Sequence, residues 1–316
     1  MVRRTGEPEG GGESPMSAAP TVGDRRYRVT HRTEYRYDAA MADGYTVAHL
    51  LPRDTPTQRV ESSLLSVEPE PFEIDEYADA FGNRVTQFGV HRPHDQLVVE
   101  AVSTVSISQP GTLDDGMPWP RVAELVAGAR DDEALTVAPF RAASQFVDLR
   151  RLGAQFHELA APSFTPDRGV VAVARDLCHR IFTDFVFDPT STDMSTPLAD
   201  VLVGRRGVCQ DFAHLATACL RSFGLAARYV SGYIETVPPA GQPRMIGADV
   251  SHAWCSVWTP DAGWIDFDPT NDHLPAVRHV TVGWGRDYAD LSPVRGVVIG
   301  PRAGQSLEVS VDVAPV

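Results

Sequence analysis

The sequence predicts an α+β protein, with an antiparallel β-sandwich-like domain first and then a core in which one helix packs on an antiparallel sheet. Three observations carry this prediction. Residues 25–108 hold six short β-like segments separated by turn residues, the spacing of a small all-β domain. Residues 109–120 (Gln-Pro-Gly-Thr-Leu-Asp-Asp-Gly-Met-Pro-Trp-Pro) have the composition of a linker. Beyond them the apolar period turns helical, then alternates again across residues 251–268.

In order, Tyr27, Val29, His31, Thr33, Tyr35 and Tyr37 fall on one side of the first segment, with Arg26, Arg28, Arg32 and Arg36 on the other. That alternation is a half-buried strand. Further strands are expected over 44–51, 58–67, 72–77, 84–90 and 96–107. Asp79-Ala80-Phe81-Gly82-Asn83 reads as a hairpin turn. Residues 1–24, rich in Gly, Pro, Ser and Glu, are expected to form a disordered tail. After the linker, Val122, Leu125 and Val126 predict a short helix, and residues 140–159 a longer, broken one. Thr165-Pro166-Asp167 predicts a helix start, with the helix running to about residue 182. Its stripe Val170, Val173, Ala174, Leu177, Cys178 and Ile181 places Cys178 in the core.

The chemistry concentrates in the second half. Val208, Phe212, Leu215, Ala216, Cys219, Leu220 and Phe223 form the stripe of an amphipathic helix that ends at Gly224. Cys209 is in its first turn, where free backbone N–H groups and the helix dipole favour a thiolate, and Gly207 allows close backbone approach. Cys219, mid-stripe, is a packing residue. His214, five residues on, is turned about 140° around the helix from the thiol and reads as a flank residue. His252 is the better base. It alternates with Trp254, Ser256 and Trp258 against Ala253, Cys255 and Val257, so Cys255 points away from it.

The turn Thr259-Pro260-Asp261-Ala262-Gly263 predicts a hairpin returning through residues 264–268. If Trp258 pairs with Trp264, Asp268 lies opposite Trp254 and diagonal to His252, about 7–8 Å away by backbone spacing. Asp266 then faces Ser256. A two-residue slip sets Asp268 directly across from His252, and only a further slip in the same direction favours Asp266. Asp268 is therefore the expected partner of His252, and Asp266 a neighbouring polar contact. Trp254, Trp258 and Trp264 read first as core aromatics, with a substrate-groove wall as the alternative. Tyr233 reads as structural.

These words in this order, Gly-Val-Cys-Gln-Asp-Phe-Ala-His, Ala-Arg-Tyr-Val-Ser-Gly-Tyr (residues 227–233), Ser-His-Ala-Trp and Gly-Trp-Ile-Asp-Phe-Asp-Pro-Thr-Asn, resemble the bacterial transglutaminase-like proteins. Residues 25–108 resemble the β-rich domain those proteins carry at the N-terminus. The resemblance covers most of residues 25–275 and implies a papain/transglutaminase-like core over 121–275. It implies Cys209 as nucleophile, His252 as base and Asp268 as orienting carboxylate. It also implies acyl transfer from a glutamine or amide donor in a protein or peptide, with an amine as possible acceptor. Cys255 stands where many relatives carry an apolar or β-branched residue. Residues 276–316 are expected to form a C-terminal extension packed on the core.

Other classes fit less well. A peptidase or amidase would use the same three residues, and a non-enzymatic binding module would leave them idle. A zinc site from Cys209, His214 and His252 has no usual ligand spacing. No calcium, phosphate or dinucleotide motif is present, so no metal and no cofactor are expected. The formal charge of −14 argues against nucleic-acid or anionic-membrane partners. Four cysteines without a framework spacing, no secretory h-region and no membrane-length apolar run point to a cytoplasmic setting. All 28 basic residues are arginine, a codon-bias pattern that would also leave an amine-joining enzyme no lysine of its own to modify.

Overall fold

The computed structural model describes residues 23–316 except 129, 131, 193–195, 237–249 and 303; nearly all of the tail expected over residues 1–24 lies outside the described residues. The first domain contains β1 (Arg25–Met41), β2 (Asp43–Ala48), β3 (Gln58–Glu68), β4 (Glu73–Ala78), β5 (Arg84–Val90) and β6 (His94–Ile107). The helical part of the core runs through α1 (Trp119–Gly128), α2 (Asp132–Val137), α3 (Leu149–Ala160) and α4 (Val170–Asp184). Then come β7 (Val186–Phe187), α5 (Leu198–Gly204), β8 (Arg206–Gly207) and α6 (Cys209–Ser222). The chain finishes with β9 (Ala227–Ile234), β10 (Val250–Thr259), β11 (Gly263–Phe267), β12 (His279–Gly285), β13 (Val294–Ile299) and β14 (Gln305–Pro315).

Two four-stranded antiparallel sheets, β14-β1-β6-β3 and β13-β2-β5-β4, form the sandwich. Between them pack Tyr37, Met41, Leu65, Phe88, Leu97 and Val99. The alternation in β1 is realised, with Tyr27, Val29, His31 and Thr33 buried and Arg26 and Arg28 exposed. At the β4–β5 turn, Asp79 Oδ1 accepts the N–H groups of Phe81 and Asn83 at 2.8 Å each.

The last forty residues correct the expectation of an extension packed on the core. Only β12 joins the core sheet, at the edge beside β9. β13 pairs with β2, and β14 pairs along eleven positions of β1. The chain thus returns to the first domain and supplies the outer strand of each sandwich sheet, satisfying backbone groups of β1 and β2 that the first six strands leave open.

The helix expected to begin at Thr165 begins instead at Val170, with Gly169 as its cap residue. Thr165 to Arg168 form a turn, closed by the Arg168 N–H on the Thr165 carbonyl. The linker supplies the cap: Val170 and Val171 donate to the carbonyls of Met117 and Asp115 at 2.9 and 3.1 Å. A Cβ at Gly169 would lie 2.0 Å from the Asp115 carbonyl oxygen, so this backbone crossing requires glycine. Similarly, the segment expected to be a broken helix is a 3-10 turn at Ala138–Arg141 followed by α3, whose first turn is capped by Asp148.

In the core, α6 packs its apolar stripe against the sheet β11-β10-β9-β12. Gly224 ends it at φ +81°, as a left-handed cap position requires.

Candidate active site

The start of α6 is held open for its cysteine by the next acidic residue. Asp211 Oδ2 accepts the Val208 N–H at 2.9 Å and the Thr192 hydroxyl at 2.7 Å. A Cβ on Gly207 would sit 2.8 Å from that oxygen, so the carboxylate folds back only over glycine. Burial pushes the Asp211 carboxyl up, against these two hydrogen bonds. Cys209, the first residue of the helix, is half-buried and packs on the cluster of Ala213, Tyr229, Ala253 and Leu291. The other three cysteines are buried. The Cys178 thiol is pushed up by its hydrogen bond with Cys255 and by burial, and Cys219 by burial.

The hairpin register is the one in which Trp258 pairs with Trp264 and Asp266 with Ser256. From there Asp268 reaches His252: Nε2 lies 2.7 Å from Asp268 Oδ2, with both groups buried. Asp266 is turned to another partner, the Trp254 indole Nε1–H at 2.9 Å. Because Nε2 is engaged by Asp268, Nδ1 is the histidine nitrogen left for the Cys209 thiol, whose interaction with His252 helps raise the imidazole pKa. The structure therefore brings Cys209, His252 and Asp268 into one cluster and leaves Asp266 outside it.

Asp268 is the hub. Its Oδ2 also accepts from His279 Nε2 at 3.0 Å and from the Asn271 side-chain amide at 2.8 Å. Its Oδ1 accepts the backbone N–H groups of Thr270 and Asn271 at 3.0 and 3.2 Å. Burial works against its charge, but the hydrogen bonds of His252 and His279 and the charge of His252 hold the carboxyl well below the usual range. Burial likewise opposes charge on His252. There the hydrogen bonds and charges of Asp268 and Cys209 win and hold the imidazole up at about 10. His279 shares the same carboxylate oxygen, yet burial dominates and lowers its pKa.

Sequence reasoning missed His279 and Asn271. Asn271 stands three residues beyond Asp268, where the chain turns back on itself through the Asp268–His273 bridge. His279 opens a β-branched run, His-Val-Thr-Val, whose strand character is visible but whose neighbour in the sheet is not. His214, expected on the helix flank, is instead buried. It stacks on Phe146 (ring centroids 5.4 Å apart) and accepts the Tyr288 backbone N–H at 3.0 Å, with burial lowering its pKa to about 4. It thereby anchors the turn carrying Tyr288 to α6. Tyr233 is buried between the domains, its hydroxyl 3.4 Å from the Leu50 carbonyl oxygen. Trp254 and Trp258 are buried, whereas Trp264 lines a cavity at the domain junction.

His252, Asp268 and His279 place one ligand atom each within 4.8 Å of one another, close enough to hold a metal ion. Both imidazole Nε2 atoms are engaged by one carboxylate oxygen, while His279 Nδ1 is buried without a hydrogen-bond partner. His214 and Cys209 do not belong to that set.

A helix-borne thiol beside a buried imidazole–carboxylate pair, on a helix packed against an antiparallel sheet, defines a papain-like thiol fold. The chain belongs to the transglutaminase-like superfamily. Residues 157–269 match the transglutaminase-like superfamily core, and residues 27–106 the bacterial transglutaminase-like N-terminal region. An uncharacterised protein of Mycobacterium tuberculosis is 44% identical over 307 residues, covering 94% of this chain and 95% of that one. A protein-glutamine gamma-glutamyltransferase of Pseudomonas aeruginosa is 29% identical over 146 residues, 44% of this chain and 22% of that one. A solved structure from Cytophaga hutchinsonii, provisionally assigned as a cysteine protease, superposes with a TM-score of 0.71 at 20% identity, covering 93% of this chain and 92% of that one. That likeness establishes the fold. Among the described residues, no helix is long and apolar enough to cross a membrane.

Proposed function

We propose that the protein is a cysteine acyltransferase acting on a carboxamide or amide of a protein or peptide. Cys209 is the nucleophile, His252 the acid and base, and Asp268 the residue that orients the imidazole. One observation carries the reading: His252 is fixed through Nε2 on a buried, fully hydrogen-bonded carboxylate, and its interaction with the thiol at the start of α6 helps hold the imidazole pKa up.

In the first step the Cys209 sulfur forms a bond to the carbonyl carbon. The oxyanion is held at the N-terminus of α6 by the Cys209 backbone N–H. His252 gives its Nδ1 proton to the departing nitrogen, the C–N bond breaks, and ammonia or an amine leaves. In the second step an amine attacks the thioester, loses its proton to His252 and expels the thiolate, giving a new amide. Water in place of the amine gives hydrolysis by the same residues, and the partition between them is a property of solvent access over Cys209.

Intact-mass spectrometry after acid quench tests this. A glutamine-containing peptide should add to the wild-type protein with loss of ammonia, at Cys209, and a primary amine should discharge the adduct as a transamidated peptide. No adduct from glutamine or amide peptides, or an adduct that persists in Cys209→Ala, overturns the proposal.

A further inference from the structure

Arg228 is the feature of the fold that the acyl-transfer reading leaves unused. It lies on β9 opposite Ser256 of β10, four residues from His252, so strand alternation puts both side chains on one sheet face about 13 Å apart. Its guanidinium carbon sits over two indoles, 4.4 Å from the Trp264 ring centroid and 3.7 Å from that of Trp284. Arg53 covers Trp284 as well, at 3.4 Å. Two guanidinium groups thus share one indole, with no carboxylate paired to either among the described residues. Arg228 Nε is buried with no hydrogen-bond partner. The carboxylate that attracts it, Asp266, has Oδ2 committed to the Trp254 indole. Burial lowers the Arg228 pKa to about 9, with Asp266 raising and Arg53 lowering it.

Leaving a buried cation without an acceptor is costly, because its desolvation is returned only by good hydrogen bonds. Arg228 borders a cavity of about 430 Å³ at the domain junction, within the size range of small-ligand sites. Thr55 and Thr57 of the first domain, Leu113 of the linker and Arg175 of α4 complete its wall. Arg175 is only loosely engaged, 3.9 Å from Asp115.

We propose that this junction cavity binds a small monocarboxylate, whose oxygens take the outer N–H groups of Arg228 in the slot between Trp264 and Trp284. The slot sets the ligand class. A planar carboxylate extends in the plane of the guanidinium between the rings and meets its fork bidentately. The tetrahedral oxygens of a phosphate would project into the indoles. The Asp266 carboxylate in the same wall favours one negative charge over two.

The test uses the full-length protein and N-acetylglycine as the probe, with the neutral alcohol N-acetylethanolamine and inorganic phosphate as comparisons. N-acetylglycine should shift the indole N–H resonances of Trp264 and Trp284 saturably, while those of Trp119 and Trp258 stay in place. The alcohol should not, and phosphate should bind more weakly than the carboxylate. Arg228→Gln should weaken the carboxylate at least tenfold, and Arg228→Lys by less. The wild-type indole shifts decide the matter if Arg228→Gln does not fold. No saturable shift up to 50 mM, equal shifts from the alcohol, tighter binding of phosphate, or undiminished binding by folded Arg228→Gln overturns the proposal. None of these readings depends on Cys209, so the carboxylate site and the acyl-transfer reading stand or fall separately.

Discussion

The two ends of one sheet face handle buried charge in opposite ways. At the His252 end, Asp268 accepts five hydrogen bonds, and its negative charge is balanced by an imidazole held protonated beside it. At the Arg228 end, about 13 Å away along the strands, a cation rests on aromatic faces without a carboxylate of its own. The first arrangement is closed around its carboxylate: removing any of the five donors takes a hydrogen bond from a buried charge. The second is open and gains an acceptor only from outside. The difference teaches where to expect rigid chemistry and where to expect recognition, within a single layer of β-structure.

The largest expected effect breaks the closed end. Asp268→Asn should lower turnover by about 10³–10⁴, by analogy with other triads, while Asp266→Asn, which loosens the Trp254 indole and removes a charge near Arg228, should have a modest effect. Circular dichroism checks that both variants fold. Reversed sensitivities would mean that Asp266 is the carboxylate acting on His252.

Next in size is His279→Gln, which removes one of the donors on Asp268 Oδ2. A hydrogen bond to a charged group is worth about 1.5–3 kcal/mol, so the loss in kcat should be roughly ten- to hundredfold, with KM nearly unchanged. A purely structural role for His279 would lower the unfolding midpoint and leave the kcat of the folded fraction intact.

Thiol reactivity gives a smaller but clean contrast. Limiting iodoacetamide at pH 6 should label Cys209 ahead of Cys178, Cys219 and Cys255, because Cys209 alone is half-buried and joined to an imidazole. Equal labelling of all four would remove the special status of the helix terminus.

The smallest expected effect is on stability against pH. The raised His252 pKa contributes stability that is fully present below about 6.5 and lost as pH rises through about 10. The depressed Asp268 pKa contributes stability present above about 3.8 and lost only as pH falls through its much lower folded value. Unfolding midpoints measured between pH 4 and 10 should therefore fall on the alkaline side more steeply in the wild type than in His252→Gln.

Legibility in the sequence followed the range of the interactions. The hairpin carrying Asp268 was readable because its register is fixed locally, by a five-residue turn flanked by Trp258 and Trp264. The thiol was readable because a helix terminus and a glycine announce it within three residues. His279 was not, because its approach to Asp268 depends on β12 docking beside β9, a pairing without a local turn. The same holds for β14, whose partner β1 lies some 280 residues away, and for Arg228, whose flanking indoles come from two other strands. The start of α4 was misplaced for a related reason: its cap is made by linker carbonyls, so Thr165-Pro166-Asp167 spells a turn with the vocabulary of a helix start.

The most direct test of the account is the protonation of the two histidines that share Asp268, followed by nitrogen-15 chemical shifts of the imidazoles across pH 5 to 11. His252 should remain an imidazolium until about pH 10, and His279 should stay neutral through the neutral range. In Asp268→Asn the His252 transition should move down toward 6.5. A His252 that titrates near 6.5 in the wild type, or a His279 that carries the charge in its place, would contradict the assignment of the acid–base role to His252.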